Sequence, residues 1–71
     1  MIKPKVLIVD DEPTSLELLE GYLSDKGYII ECAKNGKECF EKINFFSPDI
    51  IILDIKLPDI DGLTILEKLK K

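Results

Sequence analysis

Two stretches of the chain are apolar without a break, and both run into aspartate. Val6-Leu7-Ile8-Val9 is followed by Asp10 and Asp11, and Ile50-Ile51-Ile52-Leu53 by Asp54. Neither stretch alternates with polar residues, which is the pattern of strands covered on both faces, as in parallel sheets flanked by helices. A third stretch, Tyr28 to Cys32, also reads as a strand. Between the strands the period changes. Leu16, Leu19 and Leu23 recur at i, i+3 and i+7, with Leu18 and Tyr22 expected to widen the same stripe. Cys39, Phe40, Ile43 and Phe46 repeat helical spacing, and Leu63, Leu66 and Leu69 make a third such series.

Punctuation residues agree with these boundaries. Asp11-Glu12-Pro13 is a helix start, with an acidic cap followed by a proline where a missing N–H costs nothing. Gly27 is expected to close the first helix in a left-handed conformation. Asn35-Gly36 opens the second helix, and Ser47-Pro48-Asp49 ends it. Asp59 reads as a turn residue and Asp61 as the cap of the last helix, which finishes in Lys68, Lys70 and Lys71, cations suited to a helix C-terminus. The order is β-α-β-α-β-α, with no internal repeat. Right-handed crossovers constrain its geometry: if the chain passes outward from strand 1 to strand 2 and back past strand 1 to strand 3, the first two helices lie on opposite faces. Strands 1 and 3 are then neighbours, and their C-terminal ends meet at the switch point where open α/β sheets bind ligands.

That topology gives the acidic ends a purpose. Asp10, Asp11 and Asp54 would converge at one end of the sheet, and three carboxylates so placed repel one another. A hard divalent cation relieves the repulsion, and oxygen donors alone suit Mg2+. Each acid taken singly has an ordinary explanation as a cap or turn residue. What favours chemistry is the conjunction, two buried strands that each end in Asp on adjacent positions.

Composition narrows the classes further. The 71 residues make at most one small domain, of a size that is marginal without help. No aliphatic run exceeds four residues, too short to cross a bilayer, and Asp10 and Asp11 interrupt what might otherwise resemble a leader. The net charge is −4, with ten lysines and no arginine, a poor set for gripping nucleic acid. With no histidine there is neither an imidazole base nor an imidazole metal ligand. Cys32 and Cys39 match no metal or redox spacing and read as reduced, buried thiols.

"KVLIVDDEP", followed 44 positions after Asp10 by the aspartate of "IIILDIKLPDIDG", resembles the receiver domain of bacterial two-component response regulators. The match runs in register over essentially the whole chain and takes in the acidic pair, Asp54, Pro58 four residues on and Gly62 eight residues on. The resemblance implies a flavodoxin-like three-layer α/β fold with parallel strand order 2-1-3, an order that belongs to the family and is not dictated by periodicity. It implies that Asp54 is the phosphoacceptor, taking a phosphoryl group from a sensor histidine kinase or a phosphotransfer protein. It places a Mg2+ or Mn2+ ion at Asp10, Asp11, Asp54 and the backbone carbonyl of Lys56, with Pro58 and Gly62 shaping the loop. It further implies a cytoplasmic signalling module that acts as a phosphoacceptor and not as a turnover enzyme, touching neither membrane nor nucleic acid directly.

Residues 1–71 correspond to part of such a domain, stopping before strands 4 and 5 and helices 4 and 5. No residue here matches the Ser/Thr that ends strand 4 or the Lys that ends strand 5, so phosphorylation is expected to be impaired. Strand 3 is then expected to form an unprotected edge, which favours a homo-oligomer paired along it. The competing reading is a half-domain without a signalling role that mainly self-associates. A phosphohydrolase is disfavoured, because Lys56 stands where such enzymes carry a second acid.

Overall fold

A computed structural model describes residues 3–54 and 57–69. Strand β1 (Lys5–Val9) leads to helix α1 (Pro13–Asp25), β2 (Ile29–Ala33), α2 (Gly36–Phe46), β3 (Ile50–Leu53) and α3 (Gly62–Leu69). The three strands are parallel in the order β2-β1-β3, as expected. In register, Val9 stands between Ala33 of β2 and Leu53 of β3. The central strand is the most deeply buried element: Val6, Leu7, Ile8 and Val9 are all at or below 2% exposure, which is why only its first residue, Lys5, carries a polar side chain.

Successive residues of β1 point to opposite faces and build two cores. Leu7 and Val9 join Ala33, Cys39 and Ile65 on one side, with Phe40, Ile43, Phe46, Ile51, Leu53, Leu57 and Ile60 packed against them. Val6 and Ile8 join Leu16 on the other, with Leu19, Leu23, Tyr28, Ile30 and Cys32. Helices α2 and α3 therefore cover one face and α1 the other; the opposite placement of α1 and α2 is the one required by right-handed crossovers. Cys32 and Cys39 fall in different cores with the sheet between them and are both free thiols. Burial pushes the Cys39 thiol pKa up; for Cys32, burial raises it first and Glu20 and Glu31 add to that, against Lys42. Thiols held protonated in this way are poor nucleophiles and poor metal ligands.

The helix ends are built as their sequences suggest, with one exception. At the end of α1, Lys26 is the C-cap and Gly27 has φ +94°. The amides of Gly27 and Tyr28 donate to the carbonyls of Ser24 (3.0 Å) and Leu23 (3.2 Å), a Schellman closure. That closure delays β2 by one residue, so it begins at Ile29 and not at Tyr28. At α2, Asn35 Oδ1 accepts from the Glu38 amide at 2.8 Å, and Glu38 Oε1 accepts from the Lys34 amide at 2.9 Å. Asp61 caps α3 by accepting from the Leu63 amide at 3.1 Å. The exception is α1, where Glu12 holds the N-cap position but its side chain makes no cap bond. Asp10 Oδ1 instead accepts from the Glu12 amide at 3.0 Å, so the acid that orders this turn lies two residues earlier than the cap position.

Two stripes differ from the sequence reading. Leu18 and Tyr22 are 70% and 62% exposed: at about 100° per residue they stand to one side of the narrow stripe made by Leu16, Leu19 and Leu23 and do not widen it into the core. In α3, Leu63 and Leu66 face outward while Ile65 is fully buried. Gly62 and Ile65 share the same i, i+3 spacing, and it is this alternative stripe that meets the core beside Leu57 and Ile60. Leu69 side-chain placement and residues Lys70 and Lys71 lie outside the described residues.

Candidate phosphoacceptor and metal site

The acidic cluster forms where the ladder runs out. The Asp10 amide donates to the Ala33 carbonyl at 3.0 Å, and the Asp54 amide donates to the Val9 carbonyl at 2.9 Å. Each bond is one rung beyond the paired residues, so both aspartates are held by the sheet itself. Adjacent parallel strands lie roughly 4.8 Å apart. Side chains leaving neighbouring strands at the same level are therefore forced together. One carboxylate oxygen from each of Asp10, Asp11 and Asp54 lies within 4.8 Å of the other two. Asp10 and Asp54 are half-buried and Asp11 is exposed, so the cluster opens to solvent on one side.

The donor set is all oxygen, partly shielded, and carries three formal negative charges. It fits Mg2+ or Mn2+, hard ions that accept one or two carboxylates and keep several waters. Asp10 is already oriented by the Glu12 amide, a backbone bond that fixes its rotamer. The expected carbonyl ligand at Lys56 lies outside the described residues. Pro58 is exposed in the bend after β3, and Gly62 is buried at the first position of α3, so the pair brackets the loop between them.

Asp59 plays a larger part than the turn residue expected from the sequence. Its Oδ1 accepts from the Gly36 amide at 2.8 Å and its Oδ2 from the Lys37 amide at 3.1 Å. These are the first two amides of α2, 22 and 23 residues away in sequence. The Gly36 hydrogen bond is the main cause holding the Asp59 carboxyl below its ordinary pKa; desolvation opposes it, and the Lys37 amide adds to the lowering. Gly36 itself must lack a side chain, since a Cβ there would fall inside the Ile60 side chain. No local signal distinguishes Asp59 from an ordinary turn acid. The Gly after Asn35 was visible, but what it makes room for was not.

Comparison with known proteins agrees with this architecture. Residues 6–71 match the family model for the response regulator receiver domain. The chain is 42% identical over 67 residues to the transcriptional regulatory protein TrcR of Mycobacterium tuberculosis, covering 94% of this chain and 26% of that protein. It is 37% identical to the alkaline phosphatase synthesis transcriptional regulatory protein PhoP of Bacillus subtilis, covering 94% of this chain and 28% of the relative. Among solved structures, a putative response regulator from Chloroflexus aurantiacus superposes with a TM-score of 0.93 at 37% identity, over 99% of this chain and 57% of the other. The chemotaxis response regulator CheY4 of Vibrio cholerae gives 0.93 at 30% identity, over 97% and 57%. The chain thus spans about a quarter of the length of these curated relatives and a little over half of these solved chains.

Proposed function

The chain belongs to the response regulator receiver domains, and on that premise we propose that it is a phosphoacceptor module of a two-component phosphorelay, modified at Asp54 in a Mg2+-dependent reaction. The observation that carries this reading is the convergence of the Asp10, Asp11 and Asp54 oxygens within 4.8 Å at the C-terminal edge of a parallel sheet. In the reaction, an Asp54 carboxylate oxygen forms a bond to phosphorus while the P–N bond of a phosphohistidine breaks. Its electron pair leaves with the imidazole nitrogen, giving an acyl phosphate. A bound Mg2+ supplies charge neutralisation for the phosphoryl oxygens. The chain's own contribution is position: the Asp54 amide is fixed on Val9, Asp10 is fixed by Glu12, and Asp11 stands at the open side.

The donor of the phosphoryl group is a sensor histidine kinase or a phosphotransfer protein, and the module is consumed as acceptor without turning over as an enzyme. A cytoplasmic location fits a module served by such kinases, and no helix among the described residues is long and apolar enough to cross a membrane. An acidic surface lacking arginine favours protein partners over nucleic acid. Incubation with acetyl phosphate and Mg2+ tests the reading by intact mass: the parent gains a phosphoryl group slowly, and Asp54→Asn does not. Mn2+ relaxation titration adds the metal arm, in which Asp11→Ala binds more weakly than the parent. Labelling that persists in Asp54→Asn would place the chemistry on another residue.

A second reading, self-association along β3, has an observation of its own. Ile50 and Ile52 are 46% and 38% exposed on the α1 side of a strand whose only described partner is β1.

A further inference from the structure

The two edges of the sheet differ in what stands on them. Among the described strands β1 lies between β2 and β3, so each outer strand has one neighbour and one open side. In β2 the odd-numbered residues bond inward: the Ile29 amide donates to the Pro4 carbonyl at 3.0 Å, and the Ala33 carbonyl accepts from the Asp10 amide at 3.0 Å. Backbone direction alternates along a strand, so the amides and carbonyls of Ile30 and Cys32 turn outward. That outward row is where a further strand would pair. One side chain is seated on it. Lys42 reaches down from α2, and its Nζ donates to the Cys32 carbonyl and to Glu31 Oε1, the latter at 2.8 Å. Glu31 also belongs to β2, so the ammonium is held by the very strand whose edge it covers. β3 has nothing comparable, since Ile50–Leu53 is wholly aliphatic.

We infer that Lys42, anchored by Glu31, is an edge guard that closes β2 to a second copy of this chain and leaves β3 as the edge through which copies pair. Both side chains are partly exposed, and an ion pair so open to water adds little stability. Its effect is on what can bind: an incoming strand must displace a cation from the carbonyl it needs, and lysine on an edge opposes strand addition for this reason. The consequence concerns how far assembly goes. A sheet with two usable edges adds copies without limit, whereas one with a single usable edge pairs once about a two-fold axis and stops. The guard therefore sets a closed pair as the end point, not an open row of sheets. That end point rests on the self-association along β3 described above; the guard on β2 does not.

Light scattering across a dilution series tests this on the 71-residue chain, with circular dichroism reporting whether each variant is folded. The parent should not exceed twice 8.1 kDa at any concentration. Lys42→Met keeps the aliphatic stem and removes the cation, and its mass should climb past that limit as concentration rises. Lys42→Arg keeps donors for the Cys32 carbonyl and for Glu31, and should behave as the parent does. Adding Ile29→Lys to Lys42→Met returns a charge to the same edge at a position that is 43% exposed, and should bring the mass back down. Should Lys42→Met unfold, the amide shifts of the parent on dilution decide: residues 29–33 should stay unmoved, and movement there overturns the guard. A folded Lys42→Met that matches the parent at every concentration also overturns it. So does growth that survives Ile29→Lys, or a parent that itself grows past a pair. A parent that stays at 8.1 kDa while Lys42→Met associates overturns the β3 reading alone, and the guard stands.

Discussion

Ser47 ends α2 with φ 51° and ψ 62°, the only non-glycine residue with positive φ among those described. Its amide donates to the Ile43 carbonyl at 3.2 Å, so the conformation closes the last turn, and Pro48 prevents the helix from continuing. A side chain in this region costs about 1–2 kcal/mol because its Cβ crowds the backbone. Ser47→Gly removes the Cβ at the price of greater freedom in the unfolded chain, and should raise stability by up to about 1 kcal/mol. Urea denaturation measures it, and an unchanged or lower midpoint would mean that the serine side chain has a compensating role. The contrast with Gly27 is informative. Both positions close a helix, yet only the glycine announced its conformation in the sequence.

Helix α2 shows how one element can be completed by distant parts of the chain. Of its opening amides, Glu38 is served locally by Asn35, whereas Gly36 and Lys37 are served by Asp59. An ionised carboxylate at this end also complements the helix dipole. Because the folded carboxyl has a lowered pKa, its stabilising effect is complete above the unfolded value for aspartate, about 4. It is lost as pH falls through the lower folded value. Asp59→Asn should therefore be less stable than the parent at neutral pH, and the gap should close in acid below that value. Urea midpoints of both proteins followed downward from pH 7 into acid decide it; a gap that is constant with pH would show that the carboxylate charge is immaterial. At its other end, α2 is tied to the sheet by Lys5, whose amide also donates to Asp49 Oδ2 at 2.9 Å.

For the whole molecule, the two faces of β3 differ. Ile51 and Leu53 pack beneath α2 and α3, while Ile50 and Ile52 have Val6 and Ile8 beside them and little above. Fully burying an isoleucine is worth about 1.5–3 kcal/mol, so the exposed fractions of these two forgo something on the order of 2 kcal/mol. For so small a domain that is a sizeable share of its stability. The strand also lacks the charges and prolines that keep an edge from pairing with another chain. The 71-residue chain is expected to self-associate through β3 at micromolar concentration, with Ile52→Lys shifting it toward monomer by placing a charge on that face. Light scattering across a dilution series gives the answer. A folded 8.1 kDa species at every concentration would refute the expectation.

Much of this was legible in the order of residues. Unbroken aliphatic runs specify buried parallel strands because neither face can tolerate a polar group, and an aspartate at the end of each marks where burial stops. Glycine and asparagine at helix boundaries specify local backbone geometry, which needs only near neighbours. What the sequence left undetermined is whatever depends on which surfaces meet. Leu18 and Tyr22 satisfy helical spacing as well as Leu16 does, and only docking on β1 and β2 decides which stripe is inside. The same holds for Ile65 against Leu63 and Leu66. Asp59 is one of several acids in an acidic loop until the sheet order brings β2 and β3 to either side of β1 and lays that loop against α2. Spacing along the chain carries periodicity and local turns. A hydrogen bond across 23 residues is set by the strand order, and that is a property of the folded sheet.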